Sequence, residues 1–548
     1  MTRELPLADI QGNIINGYSR SGMPKARHFF LHINDVRGGR RFVDAVIPKV
    51  TTSVRWAPDA PPAGRNDAAS AVAVAKPKVT LNIGFTFFGL YALGVPTITL
   101  REMPAEFIDG MAKRASLLGD VGASAPEKWD PIWRNPAKAV HVWIAMNAQM
   151  DPQTGKPVPE LDQQTEWLRG LCGPDSGVEM LRGHAPDQTD YQEASALLKR
   201  DSAAFKALPA EHFGFTDGIG NPVFAGQLET REERRSIVGA GKQLPDGSWR
   251  PLATGEFLLG YSDESQETPP APLPVEFARN CTFMVYRKLH QNVGSFGSYI
   301  AETARRYAQH SGDPAATDDA RAAEIVKAKM VGRWSNGVPL MAAPTYGDWI
   351  KFGEREQEAR RTKDTATLAA LQRQINDFRY RDDPDGLKCP VTSHIRRTNT
   401  RDMLDPEIGA NDPKVSTGSS LNDRRRILRR GLPYGCSRPE DGGDAGDGGN
   451  HGIIFIGVCA SLFRQFEFVQ QQWIQYGLDF NAGNDTCPLA GNHGKDAKFV
   501  IPVDPESGRA PFICSGIPQF VTTRGGDYFF VPSLTALRMI AMGIIDPT

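Results

Sequence analysis

Apolar positions along the chain fall into two sets of short runs, separated by charged, Gly-rich and Pro-rich stretches. The first set is "ARHFFLHI" (26–33), "KVTLNIGFTF" (78–87) and "AVHVWIAM" (139–146). These runs are rich in β-branched and aromatic residues and too short for buried helices, so they predict strands. "FFGLYALGV" (87–95) and "TEWLRGLCG" (165–173) predict short helical pieces between them. The second set, "EFLLGYS" (256–262), "CTFMVYRKL" (281–289), "GIIFIGVCA" (452–460) and "GDYFFVP" (526–532), predicts four more strands. In "SLFRQFEFVQQQWI" (461–474), Leu462, Phe466, Val469 and Trp473 recur at the offsets of one helix face. Strands and helices interleave in both halves, which gives an α+β fold class.

The stretches between are polar. "QETPPAPLPV" (266–275) predicts a surface connection, and the charged segment 352–380 predicts helices that form a solvated cover. "CSRPEDGGDAGDGGNHG" (436–452) predicts a loop; it lacks the ligand spacing and terminal Glu of an EF-hand calcium loop.

A chain of 548 residues is long enough for two to four domains. Its 63 basic and 64 acidic residues nearly cancel, so no global field points to nucleic acid or to an anionic membrane. The seven cysteines are too sparse for a disulfide framework, and no C-x-x-C pair marks a zinc ribbon or covalent haem attachment. The first twenty residues lack the apolar core of an export signal, and no apolar run reaches the ~18 residues of a membrane span. The expectation is a soluble, cytoplasmic protein with no nucleic-acid or membrane partner; non-standard export stays open, as does oligomerisation.

Three stretches carry candidate chemistry. "HFGFTDGIGNP" (212–222) sets Asp217 among glycines and apolar residues. One reading is an Asp-Gly turn; the other is a poorly hydrated acid with a perturbed pKa. "CPVTSHIRRTNTRD" (389–402) sets His394 beside Arg396, Arg397 and Arg401. It suits either a structural histidine with solvated arginines, a phosphate or nucleic-acid patch, or a site for an anionic cofactor with an iron centre. In "RRRILRRGLPYG" (424–435) an apolar break interrupts the basic run, so Arg429 or Arg430 points inward and needs an anion or strong acceptors.

Together these stretches resemble the dye-decolourising peroxidase family in a long, bacterial-like form. "GFTDG" fits the family's Gly-x-x-Asp-Gly motif, "SHIRRTNTRD" its His-containing segment and "ILRRGLPYG" its distal-arginine segment. "DIQGNIINGY" (9–18), "FMVYRKLHQNV" (283–293), "RQFEFVQQQWI" (464–474) and "FVTTRGGDYFFVPSLTALR" (520–538) extend the resemblance in the family's order. The spacing from His394 to Arg429 exceeds that of compact members and implies an inserted loop at 402–423.

The resemblance implies two ferredoxin-like domains with antiparallel sheets and peripheral helices, of the dimeric α+β barrel type. They would occupy residues 1–240, with the Gly-x-x-Asp-Gly motif, and 241–548, with a helical insertion at about 300–385. It implies one non-covalent haem b per chain, reduction of hydrogen peroxide, and one-electron oxidation of bulky aromatic donors such as dyes and phenols. A haem-trafficking protein using the same pocket is the alternative. By motif, His394 is the axial iron ligand, Asp217 the distal acid and Arg429, the first of its pair, the distal arginine. Ile453 and Phe455 would wall the haem, one of Arg396 and Arg397 would meet a propionate, and Glu467 would accept a hydrogen bond from His394. Tyr434 has two readings, a surface electron relay and an ordinary turn tyrosine.

Overall fold

The apolar runs become strands because both faces of one sheet are covered, so neighbouring residues on a strand pack into different cores. A computed structural model describes residues 4–57, 74–184, 189–228, 237–244, 248–404 and 420–545. The first half supplies β1 (Lys25–Ile33), β2 (Val79–Phe85), β3 (Val142–Ala148), β4 (Val178–Met180) and β5 (Gln192–Ser195). The second supplies β6 (Thr282–Gln291), β7 (Leu428–Arg429), β8 (Leu432–Tyr434), β9 (Gly452–Cys459) and β10 (Val521–Val531). Their order is β7-β9-β6-β10-β2-β3-β1-β4, with β8 also on β9 and β5 also on β1. The two halves meet at β2 and β10, where Phe85 pairs antiparallel with Phe530.

One face carries Phe29, Leu31, Ile83, Ile144, Phe283 and Phe530, packed with Phe42 and Val43 of helix α1 (Val36–Val46) and with Leu534 and Leu537 of the helix Leu534–Met542. The other face carries Phe30, Trp143, Met284, Ile454, Ile456 and Phe529. The architecture is α+β with antiparallel pairing. A separate apolar core binds α2 (Val293–His310), α3 (Asp319–Val331), α4 (Tyr346–Arg361) and α5 (Thr365–Gln374). The last two are the helices expected in 352–380.

Two elements differ from the sequence expectation. Residues 256–262 are not a strand: a 3-10 turn at Thr254–Glu256 leads into further turns, and positive φ at Gly260 lets the run curl. Phe257, Leu258 and Leu259 satisfy their apolarity by full burial instead of pairing in a ladder. The segment 462–474 has the expected buried face, but it winds as two π-helical pieces, Leu462–Glu467 and Val469–Ile474. The inserted loop at 402–423 lies largely outside the described residues. Among the described residues, no helix is long and apolar enough to cross a membrane.

Candidate functional site

Strand alternation on β9 sends Ile454, Ile456 and Val458 to the apolar core and turns Ile453 and Phe455 the other way, where they wall a cavity of about 740 Å³. Leu289 and Arg287 of β6 line it beside them, because they pair in register with Ile453 and Phe455. The volume lies within the roughly 300–1,000 Å³ typical of small-molecule and cofactor pockets. Helix α6 (His394–Thr398) brings His394 to the wall as its first residue. The His394 Nδ1 lies 3.2 Å from the Cys487 sulfur.

Asp217 reaches the same cavity on the loop after Pro209. Its amide donates to the Pro209 carbonyl at 2.5 Å and its Oδ1 accepts from the Gly218 amide at 2.5 Å. Gly218 has φ +78°, a conformation that L side chains rarely adopt, and a Cβ there would lie 3.2 Å from Arg20 Nε, so that guanidinium would have to give way slightly. The turn holds the half-buried Asp217 carboxylate at the cavity wall.

Arg429 on β7 is tied to this loop. Its amide donates to Asn221 Oδ1 at 2.8 Å and its Nη2 to the Ile219 carbonyl at 2.6 Å. Burial pushes its guanidinium down from the ordinary value, and the Asp217 carboxylate opposes that drop. Arg430 points elsewhere, with Nε on the Asn13 carbonyl and Nη2 on that of Ile14, each at 2.7 Å. Of the pair, Arg429 is the one that faces the acid.

Not every expected residue arrives. Arg396 and Arg397 are buried and do not line the cavity. Arg396 donates to Asp383 at 3.1 Å and to the carbonyls of Cys389 and Asp383 at 2.6 and 2.7 Å. Arg397 donates to the carbonyls of Thr392, Trp473, Tyr476 and Asp485 at 2.6 to 3.0 Å. On a short helix beginning at His394, positions two and three residues on turn into the protein body. Glu467 does not meet His394, being bound by Arg114 and Tyr528. Tyr434 is fully buried with Lys288 Nζ 4.9 Å from its ring centroid, so it is no surface relay.

Other residues line the cavity without having been singled out. Arg20 and Glu211 flank Asp217, and Arg333 comes from just beyond α3. Burial lowers the Arg20 guanidinium while Asp217 opposes the shift; burial raises the Glu211 carboxyl. Arg401, Arg425 and Arg426, present in the quoted basic stretches, line it too. Burial and the neighbouring Arg401 push Arg333 and Arg426 down to about 10. Arg425 Nε and Asn399 Oδ1 are buried with no hydrogen-bond partner among the described residues. The cavity thus combines one imidazole, one acid–arginine edge and an excess of buried positive charge.

Residues 9–166 match the family model described as the DyP dimeric alpha+beta barrel domain. Peroxidase 2 of Mycetinis scorodonius is 26% identical over 97% of this chain and 87% of its own length. A dye-decolorizing peroxidase of Auricularia auricula-judae is 26% identical over 96% of this chain and 86% of its own. A multifunctional dye peroxidase of an Amycolatopsis strain is 27% identical over 84% and 82%. The chain is similar to DyP-type peroxidases over nearly its whole length. The solved fungal DyP-type peroxidase from Auricularia auricula-judae shares the fold with a TM-score of 0.69 at 23% identity, over 98% of this chain and all of that one. The imidazole, the acid and the arginine are spread over 212 residues of sequence, from Asp217 to Arg429, and the cavity is where they converge.

Proposed function

We propose that the chain is a haem-dependent peroxidase that reduces hydrogen peroxide and oxidises bulky aromatic donors, dyes and phenols among them, in one-electron steps. The observation that carries this is the convergence of His394, Asp217 and Arg429 on one cavity. Among the described residues, no group of three or more His, Cys, Asp or Glu side chains is placed to hold a metal ion. A metal here would have to bring its own ligands, as an iron porphyrin does, with His394 as the protein ligand. The surplus of buried guanidiniums suits a cofactor that carries carboxylates; Arg333, Arg401, Arg425 and Arg426 would hold them. The donor set therefore fits one non-covalent haem b per chain.

A bound haem would supply an iron centre for peroxide and the electrons for cleaving the O–O bond. The protein moves the proton. Asp217 accepts it from the oxygen that stays and returns it to the oxygen that leaves as water. Arg429 offsets the negative charge that builds on the departing oxygen. Ile453 and Phe455 keep bulk water from that edge. A haem carrier would have no use for the acid–arginine pair. The seven free cysteines suit a reducing compartment, and the cytoplasm is our assignment.

The test is optical titration of the chain with haem, followed by rapid mixing with hydrogen peroxide and then an aromatic dye. Wild type should gain a Soret band, change it within milliseconds of mixing and bleach the dye, and His394→Ala should lose the band. A Soret band that peroxide leaves unchanged would reduce the protein to a carrier.

A further inference from the structure

The described structure gives the His394 Nδ1 one partner, the Cys487 sulfur at 3.2 Å. The acid expected for this place, Glu467, is occupied by Arg114 and Tyr528. The sulfur is held, not loosely packed. Cys487 is fully buried. Its amide donates to the Ile474 carbonyl at 2.7 Å, and its own carbonyl accepts from the Gly491 amide at 3.0 Å and from His493 Nε2 at 2.9 Å. Arg397 completes the arrangement: from the helix that starts at His394 it grips the carbonyls of Trp473, Tyr476 and Asp485 at 2.9, 2.6 and 2.7 Å. The helix that carries the imidazole thus also fixes the segment that carries the sulfur.

A neutral imidazole has one N–H, and the group that accepts it decides which nitrogen keeps a free lone pair. We propose that Cys487 is a positioning residue: its sulfur accepts the hydrogen bond of His394 Nδ1–H and so leaves the Nε2 lone pair free for a ligand in the cavity. This rests on the reading of His394 as the axial ligand. Sulfur is a weak acceptor, so the imidazole gains less electron-donating character than a carboxylate partner would give it. Residue 487 would then set how strongly His394 donates to a ligand, separately from Asp217 and Arg429.

The tautomer is measured first, in the full chain without added haem, by ¹⁵N NMR of labelled histidine, with His394 assigned by the signal lost in His394→Gln. The Nδ1–H form is expected; the Nε2–H form would overturn the proposal. This needs no change at position 487 and holds even if haem binding fails, so it separates this inference from the one beneath it. In the haem-loaded protein, the iron–histidine stretching frequency and the reduction potential are compared in wild type, Cys487→Ala, Cys487→Ser and Cys487→Asp. Alanine should lower the frequency and make the potential more positive, aspartate should do the reverse, and serine should restore part of the alanine shift. Identical values in all four proteins would sink the proposal.

Discussion

Arg114 reaches from the first half of the chain to Glu467 in the second, its Nε and Nη2 donating to the two carboxylate oxygens at 2.5 and 2.6 Å. Glu467 is almost fully buried, and the Tyr528 hydroxyl donates to it at 2.8 Å. Removing one charge of a buried pair leaves the other desolvated and alone. Arg114, however, is partly exposed and keeps Asp109 at 3.2 Å, so Glu467→Gln should cost about 1–2 kcal/mol of stability, read by denaturant unfolding. Its Soret position should match wild type, because the pair touches neither His394 nor the cavity's acid.

Asp217→Asn keeps the size of the side chain and its place in the turn but removes the proton acceptor. The rate of reaction with hydrogen peroxide should fall roughly 100-fold or more, with haem content unchanged. Arg429→Leu should slow the same step by roughly 100-fold, and Arg429→Lys should restore part of it, since the charge returns without the fork that binds Ile219. Stopped-flow absorption measures all three.

Arg426 is buried and, among the described residues, makes long hydrogen bonds of 3.4 and 3.5 Å to the Ala240 and Gly241 carbonyls; the charge of Arg401 opposes it more strongly than Asp423 supports it. Arg426→Met should stabilise the protein without haem while weakening haem binding about tenfold. Arg397→Met should behave differently, lowering stability by about 2 kcal/mol because four carbonyls lose their donor. Thermal unfolding with and without haem separates a cofactor cation from a structural one.

Asp527 has two backbone amides, of Met111 and Tyr528, as hydrogen-bond donors. Burial pushes its carboxyl up to about 6. The folded state therefore binds this proton more tightly than the unfolded state, and the resulting stability is full below about pH 4 and lost as pH rises through 6. Asp527→Asn should remove that slope and be the more stable protein at pH 8 by about 2 kcal/mol. Urea unfolding of both proteins between pH 4 and 8 tests it; parallel profiles would refute the assignment.

The sequence made the strands legible wherever an apolar run was also laddered, as in β1, β3, β6 and β9. It failed at 256–262 because burial and pairing leave the same apolar signature. At the site, resemblance to the family's motifs pointed to His394, Asp217 and Arg429 and, together with strand alternation, to Ile453 and Phe455, and all five line the cavity. Charge composition does not reveal helix phase, so it does not distinguish the arginines that line the cavity from those that do not. Arg396 and Arg397 are adjacent to His394 in sequence and turned away from the cavity in space, whereas Arg20 and Arg333 arrive from afar. Cys487 was equally hidden, since 93 residues separate it from the imidazole it meets.

The strand order also dictates when the site comes into being. β10 follows every other strand of the sheet in sequence and lies between β6 and β2, so the two halves join into one sheet only when it pairs. Thr523 and Val521 of that strand form part of the cavity wall. The cavity wall is therefore incomplete until β10 has docked between the two halves.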